Sequence, residues 1–227
     1  MSAYSHTQQA IRQIFRRLDY RALAPIYCDE GGEAFWQAHR QPCQRLGMHI
    51  ARYLKSLLAP KGRSLYVGAG VAEIPPLLME ILELDREPMA CNLRTHEVHV
   101  LNQACGDVAL CFHSEDAQEV HGEFDHIWIV SVLNDPERFP ELSALSYGRA
   151  NPVHFDTRQF QLERETVLAL THNCLQKLTI PGLVTTSIEE IPWIANWCNG
   201  QNIPYSVGEE DHPTAIVQDP ICFIRVG

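Results

Sequence analysis

The chain has 227 residues, of which 45% are hydrophobic and 20% charged, so it is long enough to bury a full hydrophobic core. Its formal net charge of −10, with no basic stripe, argues against a nucleic-acid partner because phosphate backbones would be repelled. It has no run of about 18 apolar residues and no secretory signal at its start, so we expect a cytoplasmic protein without membrane association.

The first sixty residues have the periodicity of helices. Ile11, Ile14, Phe15 and Leu18 recur at helical spacing. A second helical stretch follows, and Pro42 is expected to interrupt it. We therefore predict a helical N-terminal cap over residues 1–60 and a core over residues 61–227.

The remainder of the chain alternates between predicted strands and predicted helices. Strands are predicted over residues 64–69, 88–93, 108–113, 124–132, 182–187, 203–208 and 221–226, and helices over residues 72–84, 95–104, 157–178 and 189–198, with a short turn over 116–120. Near-continuous apolar strands separated by amphipathic helices indicate a parallel sheet that is covered on both faces. The last two strands are joined only by a polar, proline-containing stretch, which favours an antiparallel hairpin at the sheet edge.

Cysteine and histidine are abundant but do not form a metal-binding pattern. The eight cysteines include no C-x-x-C pair, so we interpret them as reduced thiols. His96 and His99 are three residues apart, but Glu97 between them does not complete an H-E-x-x-H motif. We expect two exposed helix histidines and no metal.

The stretch "LYVGAGVAEIPPLL" (65–78) is the most informative one for function. Gly68 and Gly70 allow a sharp turn after an apolar strand and leave no Cβ to obstruct a ligand. The helix that follows directs unpaired N–H groups towards the loop, and Pro75 and Pro76 suit its first turn. A tight turn without any ligand is the competing interpretation. A dinucleotide fingerprint would need a small residue at position 73. Glu73 occupies this position, and its long side chain argues against a nicotinamide cofactor.

The spacing Gly68-x-Gly70-x-Ala72 resembles the glycine loop of class I S-adenosylmethionine-dependent methyltransferases. The stretches "HSEDAQEV" (113–120), "GEFDHIWIVSVL" (122–133) and "CLQKLTIPGLVTTS" (174–187) are similar in order and spacing to later segments of that family. The resemblance runs from about Ser64 to the C-terminus. It implies an α/β fold: a Rossmann-like three-layer sandwich with a seven-stranded, mostly parallel sheet of order 3-2-1-4-5-7-6.

The resemblance also implies a cofactor site for S-adenosylmethionine. Asp116 would accept from the adenine amino group, and the backbone N–H of Ala117 would face the adenine ring. The implied cofactor-binding residues are Gly68, Ala69, Gly70, Ala72, Asn92, Asp116, Ala117 and Ser131. This chain departs from the family pattern at two positions: Tyr66 and Asn92 stand where acids are usual.

Three candidate catalytic residues follow the fourth predicted strand. Asp135 lies near the end of this strand, where a general base would act, although an Asp-Pro pair is also an ordinary helix cap. Tyr147 and His154 lie in the long segment 137–156, which we interpret as a substrate lid. Trp36 and His39 are candidates to close the pocket, or are simply packing residues.

These observations favour a methyltransferase that acts on a small molecule by in-line transfer. The fifth strand ends in "TTSIEEI" and lacks the Asp-Asn pair that metal-dependent relatives use, so no metal is expected. The main competing hypothesis is a catalytically inactive methyltransferase-like binding or partner protein, suggested by Tyr66 and Asn92. Two further hypotheses are an enzyme that transfers a group other than methyl and a nicotinamide oxidoreductase.

Overall fold

The computed structural model describes residues 3–28, 31–106, 108–151, 153–216 and 219–227. The strands are β1 (Arg63–Val67), β2 (Glu87–Cys91), β3 (Phe112–His113), β4 (Phe124–Ile129), β5 (Leu178–Ser187), β6 (Tyr205–Val207) and β7 (Ile221–Val226). The helices are α1 (Ala3–Arg17), α2 (Tyr20–Tyr27), α3 (Gly32–Leu57), α4 (Ile74–Leu84), α5 (Thr95–Cys105), α6 (Pro140–Ser146), α7 (Thr157–Leu175) and α8 (Ile191–Gln201).

The described residues form a seven-stranded sheet of order β3-β2-β1-β4-β5-β7-β6. This order, and the Rossmann-like α/β class, confirm the sequence prediction. The β6–β7 hairpin is antiparallel, as expected from the short polar connection between these strands. No helix in the described part of the chain has the length and apolar character needed to cross a membrane.

The chain divides into two compact units. Unit 1 comprises residues 1–120 and 212–218, and unit 2 comprises residues 121–211 and 219–227. The predicted boundary lies near residue 60, between a helical cap and a core, and does not coincide with the boundary between these units. The division into a cap at 1–60 and a core at 61–227 stays a prediction.

Unit 1 contains the parallel strands β1, β2 and β3 together with the N-terminal helices. Helices α1 and α3 pack on α4, and α1 and α2 contact α5. The apolar stripe predicted for α1 is buried, with Ile14 and Phe15 fully enclosed. The N-terminal helices therefore cover α4 and α5, the two helices that follow β1 and β2.

Helix α3 differs from the prediction that Pro42 would interrupt it. The helix is continuous from Gly32 to Leu57, with Pro42 inside it. A proline removes only one backbone hydrogen bond. The buried stripe on both sides of it, which includes Trp36, Cys43 and Ile50, packs well enough to keep the helix continuous.

Unit 2 contains β4 and β5, which pair in parallel, and β7, which runs antiparallel to β5. Strand β5 begins four residues earlier than predicted, at Leu178, which pairs with Phe124. Pro181 and Gly182 obscured this start, because both residues are typical of turns. A register shift between Phe124 and His126 accommodates them.

Strand β3 is shorter than the predicted 108–113. The backbone N–H of Val108 donates to the carbonyl of Cys105, so the chain is still turning at that position. The Asn102 side chain then bonds both the N–H and the carbonyl of Phe112, at 2.8 Å each. An amide side chain thus takes the place of a neighbouring strand along this edge.

All eight cysteines are free thiols in the structure. Six are buried, Cys28 is half-buried, and Cys111, just before β3, is exposed. His96 and His99 are exposed on α5, as predicted.

Candidate functional site

The glycine loop leaves β1 and enters α4 through a short 3-10 turn over Val71–Glu73. Gly68 is exposed and has a φ of 72°, a left-handed conformation that favours glycine. Pro75 and Pro76 lie in the first turn of α4, as predicted. The loop therefore has the local geometry that the sequence indicated.

Three successive backbone N–H groups of this loop bond to the chain itself. Ala69 N–H donates to the carbonyl of Cys91 at 2.9 Å, and Gly70 N–H donates to Glu73 Oε2 at 2.8 Å. Val71 N–H donates to the Tyr27 hydroxyl at 3.2 Å. Glu73, which argued against a dinucleotide site, acts here as an internal cap of the loop.

Gly70 lies where the loop is most closely approached by side chains. A Cβ at this position would lie 2.7 Å from both Glu97 Oε1 and the Tyr27 hydroxyl oxygen. A side chain at position 70 would therefore have to displace Glu97 or Tyr27, whether or not a ligand is bound. Ala72, the third residue of the motif, is half-buried.

Asn92 follows β2 and is 6% exposed. Its Oδ1 accepts from the Arg94 backbone N–H at 2.8 Å. Its Nδ2 donates to the Ala69 carbonyl at 2.8 Å and to Glu97 Oε2 at 3.1 Å. The amide thus connects the end of β2 to both the glycine loop and α5.

Glu97 was not predicted as a site residue, because in the sequence it stands out only as the residue between His96 and His99. It is buried in the first turn of α5, and it accepts from the Tyr27 hydroxyl and from Asn92. Burial is the main cause of its raised pKa, which the Tyr27 and Asn92 hydrogen bonds and Arg94 partly offset. The sequence did indicate that Glu97 is buried, because it lies at helical spacing from Leu101 and Ala104 on the apolar face of α5.

Asp116 and Ala117 lie in a turn after β3. The Asp116 carboxylate accepts from the backbone N–H and from the side chain of Gln118, at 2.9 and 3.1 Å. Ala117 is buried. Asp116 is thus held in a defined orientation at the start of the turn.

Tyr66, one of the two departures from the family pattern, is fully buried and bonds to α4. Its hydroxyl donates to Glu80 Oε1 of α4 at 2.7 Å. The other carboxylate oxygen of Glu80 accepts from Ser64 at 2.5 Å and from Arg86 at 2.9 Å. Tyr66 therefore belongs to a buried polar network between β1 and α4.

In unit 2, the chain leaves β4 through a loop that Glu190 holds. The Glu190 carboxylate accepts from the backbone N–H groups of Ser131, Val132 and Leu133 at 3.0, 2.7 and 2.5 Å. Ser131 has a φ of 55°. Burial is the main cause of the raised pKa of Glu190, and hydrogen bonds from Ser187, Leu133 and Val132 partly offset it. The spacing Ser187-x-x-Glu190 is a capping-box pattern and was the available sequence signal.

Ser131 and Tyr147, both predicted site residues, are brought together by Asp219. The Tyr147 hydroxyl donates to Asp219 Oδ2 at 2.5 Å, and the Ser131 hydroxyl donates to the same oxygen at 3.2 Å. Burial, followed by the bond to Asp219, raises the pKa of Tyr147. Asp219 was missed because it is distant in sequence from both residues and follows no pattern.

The other two candidate catalytic residues do not join this cluster. Asp135 Oδ1 accepts from the Glu137 N–H at 2.9 Å and thus caps a turn over residues 136–138; it does not cap a helix, as its alternative role proposed, because α6 begins only at Pro140. His154 is exposed in the segment 137–156, in which α6 forms. The roles of Asp135, Tyr147 and His154 stay predictions.

Trp36 and His39 take part in the packing of the N-terminal helices. Trp36 is buried among aromatic rings, with Tyr27 and Tyr20 at centroid distances of 5.0 and 5.1 Å. His39 stacks on Phe35. These contacts favour the packing interpretation of both residues.

No protein-family model matches the chain, and no curated protein sequence matches it either. Solved structures do match. Magnesium protoporphyrin IX methyltransferase (ChlM) from Synechocystis PCC 6803 with bound SAM has a TM-score of 0.56 and 12% identity, over 97% of both chains. Its SAH-bound form has a TM-score of 0.56 and 11% identity, over 97% of this chain and 100% of that one.

The N-methyltransferase NodS from Bradyrhizobium japonicum WM9, in complex with SAH, is also similar. Its TM-score is 0.50 at 11% identity, over 91% of this chain and 96% of that one. At these identities the likeness concerns the fold, and with ChlM it extends over nearly the whole chain. Together with the strand order, it shows that this chain has the fold of class I S-adenosylmethionine-dependent methyltransferases.

Proposed function

We propose that this protein is an S-adenosylmethionine-dependent methyltransferase that acts on a small molecule without a metal. The observation that carries the proposal is the glycine loop of unit 1. Gly70 is tightly enclosed in it, and it is adjoined by Asn92, which follows β2, and by Glu97 in the first turn of α5. The shared fold adds support, because the ChlM and NodS structures hold SAM or SAH.

The residues of unit 1 fit such a cofactor chemically. The Glu97 carboxylate already accepts a hydrogen bond from the hydroxyl of Tyr27. Gly70 has no Cβ where these two side chains approach the loop backbone most closely. The loop Gly68–Gly70 with Ala72, the polar groups of Asn92 and Glu97, and the turn at Asp116 and Ala117 would hold the cofactor. When bound, the cofactor supplies an activated methyl group for in-line transfer.

Within unit 2, the hydrogen-bonded cluster of Ser131, Tyr147 and Asp219 contains the candidate groups for contact with a methyl acceptor. Tyr147 keeps its proton because its pKa is raised, and it donates this proton to Asp219, so it does not act as a base. Asp219 Oδ2 accepts both from this phenol and from the Ser131 hydroxyl, and so holds the two side chains in place. Asp135 and His154 are the candidate bases for a nucleophile that must lose a proton.

Calorimetry with S-adenosylmethionine, S-adenosylhomocysteine and NADH tests the cofactor. We expect the first two ligands to bind and NADH not to bind, and binding of NADH alone would overturn the proposal. Incubation with methyl-labelled S-adenosylmethionine and separate small-molecule, protein and RNA fractions then tests the substrate class. Label should enter the small-molecule fraction, and label in RNA or protein would replace that part of the proposal.

A catalytically inactive binding protein is the second candidate. It is favoured by the glycine loop, whose N–H groups at residues 69–71 all bond to the chain itself. Binding of S-adenosylmethionine without label transfer to any of the three fractions would support this candidate.

A further inference from the structure

The Tyr27 hydroxyl occupies a position suited to a ligand hydroxyl. It donates to Glu97 Oε1 and accepts from the backbone N–H of Val71. A carboxylate acceptor beside a loop N–H donor is a pair of partners that a sugar hydroxyl would also satisfy. Tyr27 is thus bonded both to an N–H group of the loop and to the carboxylate of α5 that lies beside it.

The space beside the loop is filled by these two side chains. Both Glu97 Oε1 and the Tyr27 hydroxyl oxygen lie 2.7 Å from the position of a Cβ on Gly70. A ligand that approaches the bare backbone at Gly70 must therefore move Tyr27 aside. The Tyr27 ring packs against Trp36 at 5.0 Å between centroids, so aromatic packing also holds it.

Asn92 is poorly placed to accept a hydroxyl. Its acceptor oxygen bonds the Arg94 N–H, and its Nδ2 donates to the Ala69 carbonyl and to Glu97. Glu97 has a carboxylate, which accepts with the help of its charge. The acid absent at position 92 therefore has a counterpart five residues later, on α5.

We propose that Glu97, and not Asn92, accepts a ribose hydroxyl of the cofactor, and that the Tyr27 hydroxyl holds this position until the cofactor displaces it. The inference rests on the proposed function, because it takes S-adenosylmethionine as the ligand. It makes Tyr27 an internal competitor that lowers cofactor affinity.

Tyr27→Phe tests the competition. This variant removes the hydroxyl and keeps the ring, so S-adenosylhomocysteine should bind about tenfold more tightly by calorimetry. Tyr20→Phe is the matched control, since Tyr20 also contacts Trp36 but donates its hydroxyl to the Phe15 carbonyl. The control should stay within about twofold of wild type, and thermal unfolding should show that both variants are folded.

Glu97→Gln in the Tyr27→Phe background tests the acceptor, because the competing hydroxyl is absent from both proteins being compared. Affinity for S-adenosylhomocysteine should fall about tenfold or more, since a charge-assisted bond is lost. Affinity for the 2′,3′-dideoxy analogue should change by less than about twofold, because the analogue lacks the hydroxyls.

The outcomes separate this inference from the proposed function. If wild type binds S-adenosylhomocysteine and Tyr27→Phe binds equally or more weakly, the competition is refuted while the function stands. Equal losses for the two ligands on Glu97→Gln would refute the ribose contact in the same way. If neither wild type nor Tyr27→Phe binds S-adenosylmethionine or S-adenosylhomocysteine, both the function and the inference fail.

Discussion

At Gly70, the backbone is enclosed so closely that even a methyl group has no room. The carboxylate of Glu97 and the hydroxyl of Tyr27 are held in place by their own hydrogen bonds, so neither moves without cost. The need for glycine at this position therefore comes from the folded chain itself. A ligand at the loop would add to that need.

Gly70→Ala should lower the free energy of unfolding by about 1–3 kcal/mol, the usual cost of overpacking. Gly200→Ala is the control, because a Cβ at Gly200 in α8 meets no heavy atom within 4 Å. This control should raise stability by up to about 1 kcal/mol, since alanine favours helix. Urea denaturation measures both, and equal effects at the two positions would show that Gly70 is not crowded.

Asn92→Asp tests the amide that connects the loop to α5. The change removes both donors and places a carboxylate beside the Ala69 carbonyl and Glu97. We expect the free energy of unfolding to fall by about 2 kcal/mol or more at pH 8. The loss should shrink at acidic pH: the pKa of Glu97 is raised, so this neighbour becomes neutral as the pH falls and the repulsion disappears.

Denaturation at several pH values measures this loss. The exposed Asn199→Asp is the control, with an expected change within about 0.5 kcal/mol. A loss that does not depend on pH would argue against an ionised Glu97 beside position 92.

At the scale of elements, one side chain holds the end of a strand. Glu190 accepts from three successive N–H groups after β4, and also from the Thr186 hydroxyl at 3.1 Å. All these partners are donors, so the ionised carboxylate suits them, although burial disfavours its charge. The shape of the β4 loop, and hence the position of Ser131, depends on this residue.

Glu190→Gln should therefore cost about 2–4 kcal/mol of stability, because the NH₂ group would face backbone donors. The neighbouring Glu189→Gln is the control. Glu189 makes no such contacts with the loop among the described residues, so its loss should stay below about 1 kcal/mol. Chemical denaturation compares the two variants, and similar losses would show that the loop does not depend on Glu190.

At the scale of the whole molecule, local patterns predicted most of the architecture. The alternation of strands and helices followed from apolar runs and amphipathic stretches, since these patterns reflect burial directly, whereas the strand order was implied by the resemblance to the methyltransferase family. The errors arose where tertiary packing overrode a local signal, as at Pro42 in α3 and at Pro181 in β5. The glycine loop was predicted for the same local reason, because its glycines are adjacent in sequence.

The polar clusters could not be predicted in this way. Tyr27 meets Glu97 across seventy residues, and Asp219 meets Ser131 across eighty-eight. No local spacing pairs such residues, since only the completed fold brings them together. The acidic net charge still argues against nucleic acid, and both this expectation and the cytoplasmic location stay predictions.

The burial of the thiols makes Cys111 a natural attachment point for a spectroscopic reporter. Burial raises the pKa of Cys105 to about 12 and that of Cys222 to about 11, so these thiols react poorly at neutral pH. Cys111 is exposed at the edge of the sheet, next to β3. A maleimide dye should therefore modify the unaltered protein at this position first, which places a fluorophore in unit 1 without removing any other cysteine.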